Sequence, residues 1–197
     1  MARPRTHTLE LRAEIMACAL ATVAEHGIAA LALRDVAERA GTSTAAVYSL
    51  FGNKEALHQA VLISAFTAFA DAQATDPPTD DPVTDIAGLG LRYVGWATEH
   101  PRLYEAMFTD AAAGLTRSPE LDTARLRAIE RITDAVRRAL DAGRFRPAPV
   151  DTVVTSLWAQ VHGLSVLTIA GQIPEEVDVM SAAWAVIEGW LAPASPA

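Results

Sequence analysis

Residues 33–58, LRDVAERAGTSTAAVYSLFGNKEALH, leave the chain very few local folds. Leu33, Val36, Ala37 and Ala40 recur at helical spacing, with Arg34, Asp35, Glu38 and Arg39 turned the other way. Gly41 stops that helix, because glycine accepts the left-handed backbone that closes a helix end. Ser43 is a good N-cap for a second helix over 44–50. After Gly52, Asn53 caps a third helix starting at Lys54. Two short helices across a tight turn, braced by another, predict a helix-turn-helix, a unit suited to laying one helix in a DNA groove.

The rest of the chain reads as helix and breaker in alternation. Leu11, Ile15, Ala19, Leu20 and Val23 predict a helix over 9–26, ended by Gly27, with Cys18 beside the stripe as a small buried hydrophobe. The helix from Lys54 runs into the low 70s. Residues 75–84, TDPPTDDPVT, break the chain with three prolines and three aspartates. Helices then follow over 85–99 and 102–110. Ser118 caps the next, with Pro119 at its first position, over 119–142. In that helix Leu126, Ile129, Thr133, Val136 and Leu140 are expected to face inward. Asp151 caps a long apolar helix to about Ala170, and a last helix spans about 175–191. The pattern holds no convincing strand. The expected fold is all-α, with about nine helices: an N-terminal helix-turn-helix domain over 1–55 and a helical bundle over 56–197.

Charge is unevenly spread. Residues 1–60 carry six Lys/Arg and six Asp/Glu, whereas 61–197 carry ten and eighteen, so the whole net charge of −8 lies in the second part. A neutral head on an acidic body can still hold DNA if the body points away. Arg3, Arg5 and Arg12 crowd the first dozen residues, either as a basic arm for phosphates or a minor groove or as a frayed terminus. Lys54 is the one lysine in the chain. A single cysteine fits the reducing cytoplasm. No apolar run near the roughly 20 residues of a membrane span is expected, nor a signal peptide.

Ala19 to Leu57, ALATVAEHGIAALALRDVAERAGTSTAAVYSLFGNKEAL, closely resembles the DNA-binding segment of TetR-family bacterial transcriptional regulators. The pattern runs through Leu33 to Gly41, Ser43, Ala46, Val47-Tyr48, Phe51 and Lys54 to Leu57. Trp158 to Gly163, WAQVHG, resembles the Trp-x-x-x-His-Gly signature of one type of TetR C-terminal domain, and His100 to Phe108 is similar to a segment those domains also carry. Leu31 and Ala32 depart from the family's Ser or Thr at the entrance to the helix that begins at Leu33, so packing must hold that helix. Thr44, Ala45 and Leu50 depart from its more polar reading helix.

Thr44 and Ala45, at the start of the helix over 44–50, are placed to meet base edges, where a methyl group can touch thymine. Arg34, Ser43, Tyr48 and Ser49 suit phosphate contact. Lys54, at a helix N-terminus, suits a phosphate clamp, and the resemblance supports Tyr48 and Lys54 in these roles. It also implies double-stranded operator DNA as partner and a homodimer through the last two helices. There Val153, Leu157, Val161 and Leu164 form one stripe and Ala182, Ala183, Val186 and Trp190 another, unless both are plain core. Tyr93, Trp96, Tyr104, Met107, Phe108, Trp158 and His162 are either a hydrophobic core or, as the resemblance favours, the wall of a small-molecule effector site. His7, His26, His58, His100 and His162 are scattered, without metal-ligand spacing. No cofactor motif, nucleophile elbow or phosphate loop points to an enzyme, and no membrane partner is expected.

Overall fold

The computed structural model describes residues 5–108 and 118–193, with backbone alone at 5–7. Nine α-helices lie among the described residues: α1 (Arg5–His26), α2 (Leu33–Arg39), α3 (Thr44–Phe51), α4 (Lys54–Gln73), α5 (Pro82–Glu99), α6 (Pro101–Phe108), α7 (Pro119–Asp141), α8 (Val150–Ile169) and α9 (Val179–Trp190). A 3-10 turn, Ile28–Ala30, follows α1. Among these residues the one β-type pairing is a bridge between Phe145 and Leu191. The chain forms two compact units, Met1–Thr67 with His100–Arg125, and Ala68–Glu99 with Leu126–Ala197.

The first unit contains α1, α2, α3 and α6. Gly27 (φ 79°) turns the chain out of α1, and Gly41 (φ 61°) turns it out of α2. At the second turn the N–H of Thr42 reaches the Ala37 carbonyl at 2.9 Å, and that of Gly41 the Glu38 carbonyl at 3.1 Å, which satisfies the last carbonyls of α2. Ile15, Ala19, Val23, Leu31, Val36 and Val47 are fully buried. Cys18 is a free thiol and half-buried. As expected, α2 has no side-chain cap: Ala32 precedes it, and burial of Leu31 and Leu33 holds it. α6 packs on α1 and on the 3-10 turn.

In the second unit α5 and α9 both pack on α8. Val83, Ile86, Leu89, Val136, Phe145, Val153, Leu157 and Ile187 belong to its core. The N–H of Arg146 donates to the Trp190 carbonyl at 2.9 Å and that of Ala192 to the Arg144 carbonyl at 2.8 Å, tying the link before α8 to the end of α9. Asp85 holds the 75–84 break in place. It accepts from the Thr79 hydroxyl at 2.8 Å and from Arg138 at 2.8 Å. Burial alone would raise its pKa, but those donors outweigh it and hold the carboxyl below its usual range.

Several helix limits differ from expectation, those of α5 and α6 because proline is harmless where a helix has no N–H to use. α5 starts at Pro82, three residues early, with the Asp81 carboxylate accepting from the N–H of Val83 at 3.2 Å. α6 starts at Pro101, one residue early. α8 starts at Val150 after Pro149, so Asp151 lies in its first turn and is not its cap. α9 starts late, at Val179, where Asp178 accepts from the N–H of Met180 at 3.0 Å. Residues 109–110, expected in helix, lie outside the described residues.

Two further expectations fail. In α7 Val136 is buried, but Leu126 is 66% exposed and Ile129 is exposed too. The buried stripe runs instead through Leu121, Ala124, Ala135, Val136 and Ala139. Alanines allow close helix approach, so choosing the larger residues rotates the predicted face. α8, moreover, is long and apolar enough to cross a membrane by length and composition alone. Thr152, Thr155, Ser156, Gln160 and His162 interrupt its apolar runs while its average stays apolar. One of these, Gln160, donates to the Ala182 carbonyl of α9 at 3.0 Å.

Candidate nucleic-acid interface and aromatic cluster

α3 is a two-turn helix, too short to persist alone. Its N-terminus is closed by the Ser43 hydroxyl, which accepts from the N–H of Ala46 at 3.2 Å. Its C-terminus turns at Gly52 (φ 90°), whose N–H donates to the Tyr48 carbonyl at 2.8 Å. Val47 and Phe51 are buried and fix which way the helix faces. Thr44, Ala45, Tyr48 and Ser49 are left exposed on it, Tyr48 by 53%. Arg34 on α2, Ser43 at the turn and Lys54 at the first position of α4 are exposed in the same unit. The Asn53 carboxamide caps α4, accepting from the N–H of Ala56 at 2.8 Å.

α1 grips both helices of the motif. Arg39 on α2 forms a two-pronged ion pair with Glu25, at 2.7 and 2.6 Å, and its hydrogen bonds hold the Glu25 carboxyl below its usual range. Near the other end Arg12 donates to the Leu50 carbonyl at 2.5 Å and lies over the Phe51 ring at 4.3 Å. Arg12 is therefore held within the folded unit, and the basic-arm expectation fails for it. Arg3 and the Arg5 side chain lie outside the described residues. His58 on α4 is half-buried and hydrogen-bonded to the Leu31 backbone; burial, reinforced by the charge of Lys54, pushes its pKa down.

The seven aromatic and soft residues divide between the units. Tyr104, Met107 and Phe108 belong to the first, where Tyr104 and Phe108 rings lie 4.9 Å apart and Phe66 meets Phe108 edge-on at 5.9 Å. Tyr93, Trp96, Trp158 and His162 belong to the second. There Phe69 meets Tyr93 at 5.0 Å and Trp96 at 5.3 Å, both edge-on. The Trp158 indole donates to the Tyr93 hydroxyl at 3.1 Å, and that hydroxyl lies 3.3 Å from His162 Nδ1. Burial pushes the His162 pKa down. Phe66 and Phe69 were missed in sequence, although their spacing along the predicted α4 puts them near one face. Gln73 was missed as well. It is buried, and its amide, turned to satisfy both partners, bridges the Leu89 carbonyl at 3.0 Å and the Tyr93 N–H at 3.2 Å.

The stripes expected to pair two copies are largely this chain's own core. Val153, Leu157, Leu164 and Ala183 are buried within it, and Val161, Ala182, Val186 and Trp190 are half-buried. Other apolar residues stay exposed on these helices: Trp158, Ala159, Val166 and Ile169 along one side of α8, and Trp184 with Ala185 on α9.

Residues 15–61 match the family described as bacterial regulatory proteins, tetR family, and residues 86–188 match the tetracyclin repressor-like C-terminal domain. The HTH-type transcriptional regulator Mb1846 of Mycobacterium bovis is 25% identical, over 83% of this chain and 82% of its own. A protein of unknown function from Rhodococcus sp. RHA1 shares the fold with a TM-score of 0.82 and 24% identity, over 92% of this chain and 96% of its own. RolR, solved in complex with resorcinol, superposes with a TM-score of 0.67 and 21% identity, over 95% of this chain and 90% of its own. With both halves of the pattern matched and a helix-turn-helix presenting its second helix to solvent, the chain belongs to the TetR family of DNA-binding transcriptional regulators, and not to an enzyme family.

Proposed function

We propose that this regulator is a repressor that binds a palindromic operator as a homodimer and leaves it when a small hydrophobic or aromatic effector binds. The observation that carries the reading is the exposed face of α3, Thr44, Ala45, Tyr48 and Ser49, with Arg34, Ser43 and Lys54 exposed in the same unit. Thr44 and Ala45 read bases; the others hold phosphates. Two turns of helix reach few base pairs, so one head binds weakly and a second copy supplies the rest. Residues 1–55 serve as the DNA-binding domain and 56–197 as the dimerisation and effector domain.

The exposed apolar side of α8 and Trp184 on α9, which is 38% exposed, support pairing through the last two helices, by faces other than the stripes chosen from sequence. The aromatic groups around Tyr93 and His162 support an effector with a ring and a polar edge, and resorcinol bound to RolR is chemistry of that kind. The effector acts by favouring a state of lower DNA affinity. The protein works in the cytoplasm, with its DNA.

Sedimentation and DNA selection test the reading together. The protein should sediment as a dimer at micromolar concentration and enrich a two-fold symmetric site from random duplexes. A screen of aromatic and hydrophobic metabolites by thermal shift should find compounds that also release that duplex. A monomer, or an asymmetric enriched site, contradicts the dimeric reading. Ligands that stabilise the protein yet leave DNA affinity unchanged contradict the effector role.

A further inference from the structure

We propose that Arg12 is a positioning residue for DNA readout: from α1 it fixes the C-terminal end of the recognition helix, and it does not serve as a phosphate contact. The last carbonyls of any helix have no partner within it, and in an eight-residue helix those groups are half of the total. In α3 the Tyr48 carbonyl is taken by Gly52, and the Leu50 carbonyl by the guanidinium of Arg12 at 2.5 Å. A cation there also meets the negative end of the helix dipole. The same flat group covers the Phe51 ring at 4.3 Å, so one side chain holds both the backbone and the inward plug of α3.

This bond adds a connection that backbone packing does not emphasise. Close packing in the unit joins α1 to α2 and α2 to α3. Arg12 links α1 directly to the far end of α3, while Glu25 and Arg39 link α1 to α2. Residues 12 and 25 lie about 20 Å apart along one helix. α1 thus acts as a strut that clamps α2 through Glu25 and α3 through Arg12, and the tilt of α3 relative to α2 is set from both. Tilt decides whether Thr44 and Ala45 reach base edges; it matters far less to a phosphate grip that any register supplies.

The test uses the full chain, two substitutions of Arg12 and one of Phe51. Arg12→Met keeps the stem and removes the guanidinium; Arg12→Lys keeps the charge and loses the flat fork. The DNA probes are a duplex enriched from a random library by the wild-type protein and a scrambled duplex of equal length. Arg12→Met should lower the affinity ratio between the two probes about tenfold, with the salt dependence unchanged. Amide hydrogen exchange over Val47 to Gly52, measured without DNA, should speed up about tenfold while that of Ile15 to Val23 stays as it was. Arg12→Lys should recover less than half of either loss. Phe51→Leu should shift the same two readouts, and combining it with Arg12→Met should add less than the sum, because both cut one contact. A phosphate contact behaves oppositely: the salt slope falls by about one, both probes lose affinity alike, and Arg12→Lys restores binding. That pattern, or unchanged exchange and probe ratio, overturns the assignment.

Discussion

The indole N–H of Trp158 donates to the Tyr93 hydroxyl at 3.1 Å, and that hydroxyl stands 3.3 Å from Nδ1 of His162. An indole can only donate, so the tyrosine oxygen accepts from Trp158. Burial pushes the His162 pKa down. Tyr93→Phe removes the shared oxygen from both partners while leaving the ring against Phe69. It should lower stability by about 1–3 kcal/mol in urea unfolding. A loss below about 0.5 kcal/mol, typical of an unimportant surface change, would show that the relay adds nothing.

The two helices of the motif are capped unequally, and the difference can be reversed. Ser43→Ala deletes the bond to Ala46 and should cost about 1 kcal/mol, measured without DNA. Ala32 already has the extended backbone of an N-cap (φ −120°, ψ 136°) and makes no side-chain bond. Ala32→Ser should therefore stabilise the protein by up to about 1 kcal/mol in thermal or urea unfolding. A destabilised Ala32→Ser variant would mean that packing around Leu31 and Leu33 has no room for a hydroxyl.

Lys54 is exposed at the start of α4, where backbone N–H groups and an ammonium can share one phosphate. Lys54→Ala should weaken binding to operator and scrambled duplex alike and lower the salt slope by about one. Tyr48→Phe should weaken both without changing the slope, since it removes a neutral donor. Anisotropy titrations between 50 and 200 mM salt read both effects; an unchanged slope for Lys54→Ala would remove it from the interface.

Two histidines make stability depend on pH in a definite direction. Burial lowers the folded-state pKa of His58, with Lys54 adding to the effect, and lowers that of His162. The unfolded chain then binds more protons than the folded one as the pH drops through about 6.5. The stability from these rings is complete above that pH and declines towards the lower folded-state values. Urea midpoints from pH 8 down to pH 5 should fall, and His58→Gln should flatten the decline. A midpoint that rises on acidification over this range would refute the sign.

Local chemistry was legible before the fold. Gly41, Ser43, Gly52 and Asn53 mark the ends of α2, α3 and α4 because turns and caps depend on residues within a few positions of each other. Prolines misled for the same local reason: at Pro82 and Pro101 a breaker serves as a starter, and only the helix register tells the two apart. Burial was less legible. Leu126 is exposed while Ala124 and Ala139 are buried, since the partner across a helix face is not written beside it.

The sequence by itself determined the all-helical architecture, the helix-turn-helix with its capped reading helix, and the family, because these rest on periodicity and short-range spacing. The tertiary structure decided which residues work together. It brought Phe69 and Gln73 to Tyr93, and turned Arg12 from a terminal charge into a clamp on Leu50 and Phe51. Phe69 and Gln73 lie 24 and 20 positions from Tyr93, and Leu50 and Phe51 lie 38 and 39 from Arg12, at distances set by helix packing, which no local pattern encodes.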